Sequence, residues 1–120
     1  MITFEIDDIR DMNVELKRFL EFLQSCGADD DALFDSRLVS CELITNVLRH
    51  CGGRAVFKGG LSGGVIEITV SAQNPTGEIR VPDLPSVLAE SGRGLYIVNA
   101  VSHGNVRICD GIVTVKLTVK

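Results

Sequence analysis

The chain has 120 residues, of which 45% are hydrophobic, and its formal net charge is −4. Such a chain is long and apolar enough for one domain with its own core, which excludes a disordered tail. The acidic balance does not favour nucleic acid, residues 1–8 are too acidic for a signal peptide, and no stretch approaches the roughly 18 apolar residues of a membrane span. We therefore expect a single cytoplasmic domain over residues 1–120, with neither nucleic acid nor a membrane as direct partner.

The first half of the chain is typical of one strand followed by two helices. Apolar residues alternate over 2–6, which predicts a short strand, and the two aspartates that follow are candidates to cap a helix. Helical spacing of apolar residues then continues to a natural stop at Gly27. The acidic run 29–31 suits the positive end of a second helix, which we expect to reach about His50 and to end at a pair of glycines.

The second half alternates between strands and one helix. The predicted order is a strand over 54–58, a flexible hairpin turn over 59–64, a strand over 65–71, a long loop over 73–91, a helix over 95–101, and a final hairpin of strands over 105–109 and 112–119. The strands alternate apolar with polar residues, so one face of the sheet is buried. The simplest architecture is α+β: a two-layer sandwich with a mixed, largely antiparallel sheet and helices on one face.

The four cysteines are Cys26, Cys41, Cys51 and Cys109. No pair has the two-residue gap of a zinc or redox motif. We expect four reduced thiols that mostly fill the core, with metal or disulfide roles as the alternative.

The second helix carries a polar stripe on an otherwise apolar surface. Glu42, Asn46 and His50 follow one another at four-residue intervals, which places them on one face of a helix. The Asn46 amide oxygen suits Mg²⁺ that bridges substrate phosphates, Glu42 is placed to take a proton from an attacking hydroxyl, and His50 to hydrogen-bond phosphate. The alternative is an ordinary helix with a few polar residues at its rim.

A second candidate is the run Gly92, Arg93 and Gly94 at the start of the last helix. Glycines before a helix let the backbone approach an anion, and the free N–H groups and helix dipole favour phosphate. Arg93 adds a guanidinium fork that matches phosphate oxygens. The alternative is an ordinary flexible hinge before a helix.

In this order, the polar stripe, the long loop, the glycine-opened helix and the final hairpin resemble the GHKL ATPases, which share the Bergerat fold. Within that superfamily the chain is most similar to the small anti-sigma factor serine kinases, over nearly its whole length. Glu42, Asn46 and His50 resemble the N-box, in which the glutamate is the general base and the asparagine binds Mg²⁺. The loop 73–91 would then be a short nucleotide lid.

Two further parts of the chain follow the same resemblance. Residues 91–98 resemble the second glycine box, and this implies that Gly92, Arg93, Gly94 and Leu95 contact the phosphates. Thr114, in the last hairpin, sits where the family places a threonine near the adenine.

The first glycine box departs from the family pattern. Ala72 stands where the family has an aspartate that hydrogen-bonds the adenine amino group, and Pro75 stands where flexibility is usual. Gln73 or Asn74 is a candidate to take over adenine recognition, because a side-chain amide both donates and accepts hydrogen bonds.

The resemblance implies ATP and Mg²⁺ as cofactors. It also implies a regulator that binds a sigma factor or phosphorylates a serine on an anti-sigma antagonist protein. Whether the protein forms a homodimer is left open by the sequence. The alternative, which Ala72 favours, is a catalytically silent interaction module with the same fold. A third option is a detached histidine-kinase catalytic domain, but no phosphoacceptor helix precedes it. His103 lies in the wrong place for that role and is expected in a turn or on the surface.

Overall fold

The computed structural model of this chain describes residues 1–51, 54–73, 93–109 and 112–119. The elements in chain order are β1 (Ile2–Ile6), α1 (Ile9–Ser25), α2 (Asp30–Asn46), a π-helical turn that continues α2 (Val47–Cys51), β2 (Arg54–Ser62), β3 (Val65–Gln73), α3 (Arg93–Ser102), β4 (Val106–Cys109) and β5 (Ile112–Thr118). The described strands form one sheet in the order β1-β2-β3-β5-β4, and every neighbouring pair is antiparallel. The α+β class is confirmed, with an antiparallel rather than a mixed sheet.

The first two helices begin where their capping residues predict. The Asp8 carboxylate accepts a hydrogen bond of 2.8 Å from the Asp11 N–H, and the Asp29 carboxylate accepts one of 2.8 Å from the Ala32 N–H. After α1 the chain turns at Gly27, whose φ of 98° lies in the left-handed region. None of the described helices has the length and apolar character needed to cross a membrane.

The three α-helices pack against one face of the sheet, where α1 contacts β2, α2 contacts β3 and β5, and α3 contacts β5. Alternate strand residues such as Ile68 and Val115 are fully buried on this face. The opposite face, which no described helix covers, carries polar side chains. We call it the open face and define it by Lys58, Glu67, Thr69, Thr114 and Lys116.

The predicted hairpin turn over 59–64 is wrong in its length. β2 continues to Ser62, and the turn consists of Gly63 and Gly64, whose φ values of 57° and 76° suit glycine. The preceding glycines stay in the ladder with β3 because they pair with residues of that strand along the full hairpin.

Packing, rather than a turn, explains the glycine at position 59. A Cβ at Gly59 would lie 2.5 Å from Cε1 of Phe19, whose ring is fully buried. Phe19 in turn meets Phe57 edge to face, with ring centroids 4.9 Å apart and planes at 75°. Gly59 therefore gives α1 the room to bring its phenylalanine onto β2.

The prediction that the cysteines mostly fill the core is wrong for two of them. Cys26, just after α1, and Cys109, at the end of the edge strand β4, are exposed, and Cys41 is half-buried. Within the described ranges, these three cysteines are in no disulfide. The side chain of Cys51 lies outside the described residues.

Candidate functional site

Glu42 and Asn46 lie one turn apart at the end of α2, as the sequence predicts. Glu42 is half-buried, and Asn46 is only 7% exposed. Among the described residues, nothing accepts a hydrogen bond from the buried Nδ2 of Asn46. An unpaired buried amide donor costs about 1–3 kcal/mol, so its presence calls for an explanation beyond packing.

The helix changes its geometry directly after Asn46. The Val47 N–H is shared between the carbonyls of Leu43 and Ile44, and the chain continues as a π-helical turn to Cys51. π-Helical turns are rare and frequently lie at functional sites. The side chain of His50 lies outside the described residues.

The same helix carries a perturbed thiol. Burial raises the pKa of Cys41 above its ordinary value, and the negative charge of Glu42 adds to this, while Arg37 opposes it by charge and by a hydrogen bond. The raised pKa keeps the thiol protonated at neutral pH, which argues against a nucleophilic or metal-binding role for Cys41.

α3 begins at Arg93 and contacts α2, so the helix predicted to bind phosphate lies beside the helix that carries Asn46. Gly94 and Leu95 belong to its first turn, whereas Gly92 and the side chains of residues 93–96 lie outside the described part of the chain. Their predicted phosphate contacts stay predictions. Such contacts require free backbone N–H groups, which the first turn of a helix supplies.

The residues proposed for adenine are not brought together with Asn46. Ala72 is fully buried and faces the helices, as does Val70 two positions earlier in the strand. By the same alternation Gln73 lies on the open face, and Asn74 lies outside the described residues. Thr114 also lies on the open face, directly opposite Thr69 of β3. The sheet separates both side chains from α2.

Thr114 lines a different depression. With Glu67, Arg107 and Lys116 it borders a cavity of about 450 Å³ on the open face. This polar cavity is not among the sites that the sequence predicts, although the alternation of β5 indicates that Thr114 and Lys116 share a face. The sequence does not predict the position of Phe34 either, which is 68% exposed on α2 and breaks the pattern of buried apolar residues.

Comparison of the sequence with protein-family models and with curated proteins finds no match. Among the described residues, no group of three or more histidine, cysteine or acidic side chains is arranged to hold a metal ion. Mg²⁺ at this site would therefore depend on Asn46 together with phosphate oxygens and water, two ligand types that this ion commonly keeps in proteins. The Asn46 amide fits that arrangement, since its oxygen suits the metal and its unpaired N–H suits a phosphate oxygen.

Proposed function

We propose that the chain is an ATP- and Mg²⁺-binding regulator of the anti-sigma kinase type, with the Bergerat form of the two-layer sandwich. The observation that carries the proposal is Asn46, a buried amide with an unpaired donor one turn after Glu42. α2 also lies beside α3, the helix whose first turn is proposed to meet the phosphates. The protein would act in the cytoplasm on a sigma factor or an antagonist protein.

In this proposal each residue has one task. Asn46 holds Mg²⁺ and a phosphate oxygen, and the first turn of α3 binds the terminal phosphates through backbone N–H groups and Arg93. Glu42 accepts the proton of the serine hydroxyl that attacks the γ-phosphorus, and as the serine O–P bond forms, the bond from the γ-phosphorus to the β,γ-bridging oxygen breaks and ADP leaves. Mg²⁺, when bound, neutralises charge on the phosphates, and positioning by the protein supplies most of the rest.

A second candidate function is a catalytically silent interaction module, and the buried Ala72 favours it. A methyl group stands where the resemblance requires an acceptor for the adenine amino group, and it is fully buried among the core residues. Gln73 and Thr114, the other residues considered for adenine, lie on the open face. The described residues of β3 that face the helices thus offer adenine no carboxylate.

Calorimetric titration with ATP, with and without Mg²⁺, tests the proposal. We expect wild type to bind ATP more tightly with Mg²⁺ and Asn46→Ala to lose that enhancement while it keeps its fold. Asn13→Ala is the matched control, because Asn13 is exposed on α1. An equal Mg²⁺ enhancement in Asn46→Ala would remove Asn46 from the site.

Ala72→Asp distinguishes the two candidate functions. A hydrogen bond to a charged group contributes roughly 1.5–3 kcal/mol, or about 10- to 150-fold in affinity, so the variant should bind ATP more tightly than wild type and discriminate better against GTP. The new carboxylate enters a fully buried position, so thermal unfolding must show that the variant is folded. A folded variant and a wild type that both fail to bind ATP support the silent module.

A further inference from the structure

A groove of about 240 Å³ lies between the start of α2 and the end of α3. Three apolar side chains, Ala32, Val101 and Leu117, are among the residues that line it, and the buried Ala32 and Leu117 form its floor. Phe34 stands at its edge with 68% of its surface exposed. The groove is at the opposite end of α2 from Asn46, and a helix of this length spans about 25 Å at 1.5 Å per residue. It is therefore separate from the proposed nucleotide site.

The rim of the groove is acidic. Asp29, Asp31 and Asp35 line it together with His103, and within the described ranges neither lysine nor arginine does. The ion pairs of the described residues lie elsewhere, at Arg18 and Arg54, so these carboxylates have no cationic partner there.

Helix stability accounts for only part of this arrangement. Aspartates in the first turn of α2 interact favourably with the helix dipole, and Asp29 caps the helix. Asp35 lies beyond the first turn and gains little from the dipole. A phenylalanine that is 68% exposed contributes little to the isolated fold, and aromatic side chains are enriched at protein interfaces.

We propose that this acidic groove docks a positively charged segment of a partner protein. Charge complementarity selects the occupant: lysine or arginine side chains meet Asp31 and Asp35, and an apolar side chain between them covers Phe34 and reaches the floor. The acidic rim repels phosphates, which disfavours nucleic acid and anionic membrane surfaces. The docking surface does not depend on nucleotide binding.

Titration of the ¹⁵N-labelled protein with a synthetic hexapeptide that alternates basic residues with leucine tests the proposal. We expect saturable amide shifts centred on residues 31–35 and 101–105. Phe34→Ser should weaken binding at least about tenfold, the loss typical of an aromatic anchor. The double variant Asp31→Asn, Asp35→Asn keeps Phe34 and should also bind more weakly, and raising the salt from 0.05 to 0.5 M should weaken wild-type binding at least about threefold.

Matched controls separate specific docking from general attraction. Val14→Ser removes an apolar residue that is 49% exposed on α1, and Glu21→Gln removes a charge from the same helix; both should bind as wild type does. Peptides with glutamate for each basic residue, or serine for each leucine, should not bind. Shifts spread over the whole surface, or equal binding by Phe34→Ser, would overturn the proposal. So would a wild-type dimer that Phe34→Ser converts to a monomer, since a second copy would then cover the groove.

Discussion

Replacing Asn46 with leucine should stabilise the protein in the absence of nucleotide. The side chain is 7% exposed and its Nδ2 has no acceptor among the described residues. Leucine has the same number of side-chain heavy atoms and the same branch at Cγ, although its methyl groups are bulkier. It removes the unpaired donor, whose burial costs about 1–3 kcal/mol. For a domain of this size about 1 kcal/mol corresponds to about 4 °C in Tm, so the expected increase is about 4–12 °C.

Urea unfolding followed by circular dichroism measures the effect, with equal m-values for the two proteins showing that the same transition is compared. Asn13→Leu on the exposed side of α1 is the control and should change the free energy of unfolding by less than about 0.5 kcal/mol. Adding ATP and Mg²⁺ at about 100 times the wild-type Kd should stabilise wild type by about 2.7 kcal/mol and should stabilise Asn46→Leu less, because that variant lacks the Mg²⁺ enhancement of ATP binding. A loss of more than about 1 kcal/mol in Asn46→Leu without nucleotide would refute the reasoning, because the amide would then be paired in the folded chain.

Three further predictions concern the core, the proposed base and the buried thiol. Gly59→Ala should destabilise the protein by about 1–3 kcal/mol in urea unfolding, because the new Cβ would overlap the Phe19 ring. Gly60→Ala should be nearly neutral, because the nearest atom to its new Cβ would be 3.4 Å away. Equal effects of the two substitutions would show that the Phe19 ring moves freely. Glu42→Gln should keep ATP binding and lose phosphoryl transfer to a partner serine, and transfer at the wild-type rate would exclude it as the base. The folded-state pKa of Cys41 is raised, so the protonated thiol contributes stability that is complete below the ordinary thiol pKa of about 8.5 and is lost as the pH rises above that value. The free energy of unfolding of Cys41→Ala should lack this loss at alkaline pH. Identical pH profiles for the variant and wild type would contradict the prediction.

The parts of the fold that depend on neighbouring residues could be predicted from the sequence. Asp8 and Asp29 cap their helices and Gly27 ends the first, because capping involves only a few adjacent residues. The length of β2 was misjudged because the role of Gly59 depends on Phe19, forty positions earlier in the chain. A glycine that accommodates a distant ring has the same local signature as a glycine in a turn.

The candidate site, like the fold, could be predicted only where neighbouring residues determine the structure. The one-turn spacing of Glu42 and Asn46 is local and holds in the structure, but the switch to a π-helical turn after Asn46 has no clear local signal. The face of Thr114 was available from the sequence, since Val113 and Thr114 are neighbours in an alternating strand and must point to opposite faces. Resemblance to a motif placed Thr114 near the adenine, whereas strand alternation places it on the open face.

The pairing of β1 with β2, which follows both long helices in the chain, leaves the first strand without its partner while those helices are synthesised. The ion pair between Arg54 and Glu5, which joins β1 to β2, closes over 49 positions, whereas β2 and β3 close over a turn of two glycines. The first strand and both long helices therefore leave the ribosome before the sheet that covers their apolar faces exists. Distant pairings of this kind slow folding, so this domain should be most prone to aggregation, and most dependent on chaperones, while its first half is complete and β3 is still being made.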